Sequence, residues 1–274
     1  MAWISLQGND IHYTDNGSGD PVVLIHGHGS SAACWEPHIT ALSKRFRVLA
    51  YDSFDHGFSS NSAREGTGPD RADELEEFLE KLGIERPIVI GQSMGSLTTL
   101  RWAMRHPGEA RALVACGMGW PVRTQPGSAM SSLDEAERIW LNVGDSFPKE
   151  WVEQNRTEYE RYIRIRSTAT AIEAARHPRG LDLAQLRWDR DDQSVEEGLR
   201  SITSPLMLFM GSREVPAIAE GVQNLHSLVP HSRLIVAEGA AHNAYYQDRA
   251  LLLRSLDALL SAEPVVAGAS GNTH

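Results

Sequence analysis

The chain has 274 residues, 41% hydrophobic and 23% charged, which suits one sizeable domain with a well-buried core and room for an inserted subdomain. Its formal net charge of −10 argues against a nucleic-acid partner, because such binding relies on a basic surface that displaces counterions. Two cysteines, Cys34 and Cys116, are too few for a disulfide framework and lack the paired spacing of a zinc or redox site, so both read as buried packing residues and no metal is expected.

Taken in chain order, "WISLQGNDIHYTDNG" alternates around a Gly-Asn-Asp turn and predicts an antiparallel hairpin at a sheet edge. No basic start followed by an apolar run precedes it, and no segment approaches the roughly 20 apolar residues of a membrane span. A soluble, cytoplasmic protein without membrane contact is expected. "PVVLIHG" (21–27) and "FRVLAYD" (46–52) are β-branched runs apolar on both faces, as in a parallel sheet covered on both sides. "PDRADELEEFLEKLG" then sets Leu75, Phe78, Leu79 and Leu82 at helical spacing, with Gly83 as the stop. "PIVIGQ" (87–92) predicts a strand, 93–106 a helix and "ARALVAC" (110–116) another strand.

The alternation breaks next. Residues 120–202 hold no strand-like run, only helical patterns such as "SSLDEAERIWLNVG", where Ser132 and Glu135 have capping-box spacing. "PLMLFMG" (205–211) and "SRLIVAEG" (232–239) resume the strands, with helices predicted over 216–229 and 245–260. The fold class is α/β: a mostly parallel, doubly wound sheet with an inserted helical cap. The expected division is a core over 1–119 and 203–262, a cap over 120–202 and a flexible tail over 263–274.

Three predicted strand ends carry chemistry. "GQSMG" fits Gly-x-Ser-x-Gly, whose glycines let a strand reverse sharply into a helix and leave the Ser93 hydroxyl exposed at the helix N-terminus. A serine hydroxyl needs a base, and among eleven histidines only His242 follows the last apolar strand through a small-residue loop, "EGAAH". His38, His106, His226 and His231 read as packing or surface residues, and the plain alternative for His242 is a cap on the last helix. The imidazole in turn needs a carboxylate. Glu214 lies three residues past Gly211, whereas "GMGWPVR" after the strand ending at Cys116 offers no acid. The alternative for Glu214 is a solvated loop charge beside Arg213.

On these residues the chain resembles the α/β-hydrolase fold enzymes, with serine, acid and histidine in that fold's chain order over nearly the whole length. The resemblance implies an oxyanion hole made by the backbone N–H groups of His28, in "HGHG", and Met94. Such chemistry requires no metal or organic cofactor and takes a small-molecule substrate, and a monomer or homodimer is compatible with it. His26 is expected to brace the loop, Trp35 to pack in the first helix and Trp120 to line the pocket. Where relatives carry Asp-x-x-Gly-x-Gly-x-Ser, this chain has "DSFDHGFSS", so Asp55 either tolerates a left-handed turn or reaches toward the pocket.

Serine at the elbow argues against relatives that use aspartate there, the haloalkane dehalogenases and epoxide hydrolases. The leading expectation is hydrolysis of a small ester, lactone or thioester through an acyl-enzyme. A carbon–carbon bond hydrolase of ring-cleavage diketones is the runner-up. A ligand-binding receptor or cofactor-free lyase that retains the triad is the third reading.

Overall fold

Side chains alternate across a strand, so a run that is apolar at every position must bury both faces. The computed structural model, which describes residues 2–60, 71–118, 146–176 and 192–261, meets this demand with one eight-stranded sheet between two helical layers. The elements in chain order are β1 (Ala2–Leu6), β2 (Asn9–Asn16), β3 (Pro21–Ile25), a 3-10 turn (Ala32–Trp35), α1 (Glu36–Leu42), β4 (Arg47–Tyr51), α2 (Arg71–Lys81), β5 (Ile88–Gln92) and α3 (Met94–Arg105). They continue with β6 (Ala112–Cys116), α4 (Lys149–Gln154), α5 (Arg156–Arg176), α6 (Asp192–Ser201), β7 (Leu206–Gly211), α7 (Pro216–Leu228), β8 (Arg233–Ala237), α8 (Ala244–Gln247) and α9 (Arg249–Ser261). Trp120, the Ser132–Glu135 pair and the tail 263–274 lie outside the described residues.

The strand order is β1-β2-β4-β3-β5-β6-β7-β8, parallel from β4 to β8, with β1 and β2 antiparallel at one edge. The six predicted apolar strands and the edge hairpin are all present. The hairpin turns at Gln7 and Gly8, with φ of 49° and 78°, one residue before the predicted Gly-Asn-Asp turn. Asn9 and Asp10 already pair with Leu6 and Ser5.

Val23, Ile25, Leu49, Tyr51, Val89, Leu113 and Leu208 face the layer of α2, α3, α6 and α7. Their chain neighbours Val22, Leu24, Val48, Ile88, Ile90, Val114, Met207 and Phe209 face the opposite layer of α1 and α9. Cys34 and Cys116 are buried free thiols, and burial pushes the Cys34 thiol up to about 11. The single helix predicted over 245–260 divides at Asp248, whose carboxylate accepts the Leu251 N–H at 3.0 Å and so starts a new helix. No helix among the described residues is long and apolar enough to cross a membrane.

The segment predicted to be strand-free contains α4, α5 and α6 among its described residues. Phe147 and Tyr162 are buried against the α1–α9 side of the core. Helix α6 packs elsewhere: Val195 and Leu199, followed by Ile202, join the cluster that contains Leu97, Leu100, Val222 and Leu225. Leu199→Ala is expected to cost about 2–5 kcal/mol of unfolding free energy, read as a lower urea midpoint. A loss under about 1 kcal/mol would mean that α6 is peripheral to the core.

Candidate active site

The chain passes from β3 to β4 on one side and then crosses to β5 on the other, which leaves a crevice at the carboxyl ends of β3 and β5. The residues after those two strands are "HGHGSS" and "SMGS". Ser93 sits at the bend with φ 51° and ψ −112°, a backbone conformation that costs a side-chain-bearing residue about 1–3 kcal/mol. Close packing enforces it. A Cβ on Gly91 would overlap the Gly95 carbonyl, and one on Gly95 would overlap the Ile25 carbonyl. The Ser93 N–H donates to the Cys116 carbonyl at 2.8 Å, and the Ser96 hydroxyl accepts the Cys116 N–H at 2.9 Å, which ties the elbow to β6.

Glu214 and His242 meet at the ends of β7 and β8. The imidazole Nδ1–H donates to Glu214 Oε1 at 3.0 Å and lies 3.2 Å from Oε2, and both side chains are buried. Glu214 Oε1 also accepts the Val215 N–H at 3.0 Å, so the carboxylate is held in place from its own backbone. This tautomer leaves a lone pair on Nε2. In the described structure that atom faces the Gln92 amide, 3.4 Å from Nε2 to Nε2, and no hydrogen bond joins it to the Ser93 hydroxyl. The serine is the next residue along the chain.

The loop after β3 lies over the elbow, since a Cβ on Gly27 would fall 3.2 Å from that of Ser93. Among the described residues, neither the His28 nor the Met94 N–H has a backbone acceptor. His26 braces this loop: its Nδ1–H donates to the Gly27 carbonyl at 2.7 Å, and its Nε2 accepts the Ser53 N–H at 3.1 Å. Asp52 holds the other end, taking the N–H groups of Ala32 at 2.6 Å and Phe58 at 2.9 Å and facing His12 Nδ1 at 3.0 Å. Asp55 has φ 67° and its carboxylate faces the Arg71 guanidinium at 3.6 Å, which fits the turn reading of "DSFDHGFSS".

The other histidines have local partners. His38 donates to the Tyr245 carbonyl at 3.0 Å, His226 pairs with the Ser232 hydroxyl at 2.8 Å, and His106 stacks on Trp102. Trp35 is fully buried between His38 and Tyr245, as a packing residue. Burial holds His26, His28 and His38 down at about 4, and His56 well below the ordinary range, so all four are neutral near pH 7.

Helix α5 contributes two polar contacts at the crevice that the sequence does not specify. Tyr162 donates to Asn243 Oδ1 at 3.0 Å, beside His242, and Arg166, one turn further on, donates from Nη1 to the His28 carbonyl at 2.6 Å. Their four-residue spacing was visible in "YIRIR", but nothing in the sequence says which loops that helical face meets. Gln92 stood inside the Gly-x-Ser-x-Gly motif, and only the fold reveals its amide against His242.

A family model described as the alpha/beta hydrolase fold matches residues 20–248. "Putative carbamate hydrolase RutD" of Cronobacter turicensis is 28% identical over 237 residues, 82% of this chain and 85% of that protein. The (E)-2-((N-methylformamido)methylene)succinate hydrolase of Acinetobacter baylyi is 24% identical over 232 residues, 84% of this chain and 86% of that protein. The crystal structure of the enol-lactonase from Burkholderia xenovorans LB400 superposes with a TM-score of 0.71 at 20% identity, covering 95% of this chain and all of that one.

The buried histidines make stability depend on pH. In the folded state His26, His28 and His38 take up a proton only near pH 4, whereas the unfolded chain takes it up near 6.5. The unfolded state therefore binds more protons between those values, and stability falls as pH drops through this window. Urea midpoints measured from pH 7 to 4.5 should decline steadily below 6.5, and a flat profile would show that these imidazoles are hydrated.

Proposed function

Because this chain belongs to the α/β-hydrolase fold family, we propose that it is a serine hydrolase cleaving a small ester, lactone or thioester, with Ser93 as nucleophile, His242 as base and Glu214 as its orienting acid. The observation that carries this reading is the buried Glu214–His242 pair, with its free-lone-pair nitrogen facing the residue next to a strained serine. A carboxylate on Nδ1 fixes the tautomer that can accept a proton and stabilises the imidazolium that results.

In this mechanism His242 Nε2 releases the Gln92 amide and takes the proton of Ser93 as Oγ attacks the substrate carbonyl. The N–H groups of His28 and Met94, which have no backbone acceptor among the described residues, receive the developing oxyanion. His242 then protonates the leaving group, and a water attacks the acyl-enzyme with the same base and the same two donors. The positive end of α3 behind Ser93 favours the negative intermediate further.

The similar proteins are named for action on a carbamate, a substituted methylenesuccinate and an enol-lactone. A carbamate and a lactone are acyl compounds with a heteroatom on the carbonyl, which supports acyl transfer to water over carbon–carbon cleavage or binding without turnover. No step calls for a metal or organic cofactor.

A fluorophosphonate probe followed by peptide mapping is expected to label Ser93. Ser93→Ala should lower turnover of a 4-nitrophenyl ester by at least about 10³-fold, and Glu214→Gln should lower kcat by about 10³–10⁴-fold with the fold intact. Label on another residue, or retained turnover in Ser93→Ala, overturns the assignment.

A further inference from the structure

Two arginines are buried near the crevice, and they differ in their partners. Arg71, 2% exposed, lies 3.1 Å from Glu74 and 3.6 Å from Asp55. Arg166, 5% exposed, has no carboxylate partner among the described residues, and its sole hydrogen bond there is from Nη1 to the His28 carbonyl. Its Nε is buried without an acceptor. A guanidinium taken out of water without a counter-charge is strongly unfavourable unless some anion completes it.

From this unmatched charge we infer that the substrate carries a carboxylate, a few carbons from the scissile carbonyl, which docks on the Nε–Nη2 edge of Arg166. This rests on the hydrolase reading above and names the class of substrate: half-esters, or lactones bearing a side-chain acid. Nη1 is already committed to the His28 carbonyl, which leaves the side-on edge of the guanidinium, the one that matches a carboxylate through two parallel hydrogen bonds. The anchored carbonyl belongs to the residue whose N–H is assigned to the oxyanion, so the docked acid and the reacting carbonyl are neighbours. Tyr162, on the same helical face, is tied to Asn243 beside His242, so α5 spans the two loops that bracket the serine. The imidazoles of His26 and His28 are neutral near pH 7 and do not compete for the anion.

The test compares mono-4-nitrophenyl esters of malonate, succinate, glutarate and adipate with the same esters methyl-capped at the free acid. The wild-type protein is expected to prefer at least one free acid over its capped form by about 10-fold or more in kcat/KM. Arg166→Gln should bring that ratio close to 1 and Arg166→Lys should keep part of it, whatever happens to the absolute rates. A purely structural Arg166 lowers both esters alike and leaves the ratio unchanged, which overturns the inference, as does a wild-type ratio at or below 1 for every chain length. Calorimetric titration of Ser93→Ala with the corresponding monomethyl half-esters reads the anion site without turnover. Binding that depends on Arg166 in a protein that hydrolyses none of these esters supports the anion site and sinks the hydrolase reading. Hydrolysis without any preference does the reverse.

Discussion

The close approach of the β5–α3 turn to β3 is the constraint on which the site depends. Gly95 lies against the Ile25 carbonyl and Gly91 against the Gly95 carbonyl, at separations that leave no room for a methyl group. The strand can then reverse within a few residues, and Ser93 is driven into a positive-φ conformation that a free chain would avoid. The strain is held by tertiary structure: the Ser93 N–H is fixed on β6, and the β3 loop closes over it. The same reversal places the first N–H groups of α3 at the crevice, so one local distortion positions both the proposed nucleophile and a helix end suited to an anion.

Around that turn the molecule spends its buried charges in two ways. Asp52 and one carboxylate oxygen of Glu74 are held by donors. Asp52 takes two backbone N–H groups and a histidine, and Glu74 takes the Phe54 N–H and Arg71. Such groups stiffen the loops that flank the crevice, because each would be costly to strip of its partners. Glu214 and Arg166 are different. Glu214 is matched to a histidine that changes its charge during the proposed cycle, and Arg166 has, among the described residues, a backbone carbonyl as its hydrogen-bond partner.

Much of the architecture was legible because its signals are local. Six strands announced themselves as short β-branched runs, and Gly83, Gly91 and Gly95 punctuated them where the backbone turns. The hairpin turns one residue earlier than its composition predicts, because Gln7 takes a left-handed position that composition would assign to Gly8 or Asn9. The apolar spacing of the last helix runs through Asp248 and predicts one continuous element, whereas the capping bond that divides it is a matter of side-chain orientation. Helix α6 shows the limit of reading by segment: chain position joins it to the stretch without strands, while packing puts Leu199 beside α3 and α7.

The sequence by itself determined the fold class, the elbow serine and the order in which an acid and a histidine follow it, because strand-ending motifs and glycine spacing are properties of short stretches of chain. Only the tertiary structure decided that Glu214 Oε1 lies 3.0 Å from His242 Nδ1, that Gln92 occupies the space before Nε2, and that Arg166 is buried with no carboxylate beside it among the described residues. Those facts depend on which loops the sheet order brings together and on which polar groups lose their water there. Burial and pairing are properties of the packed molecule, and no stretch of sequence encodes them alone.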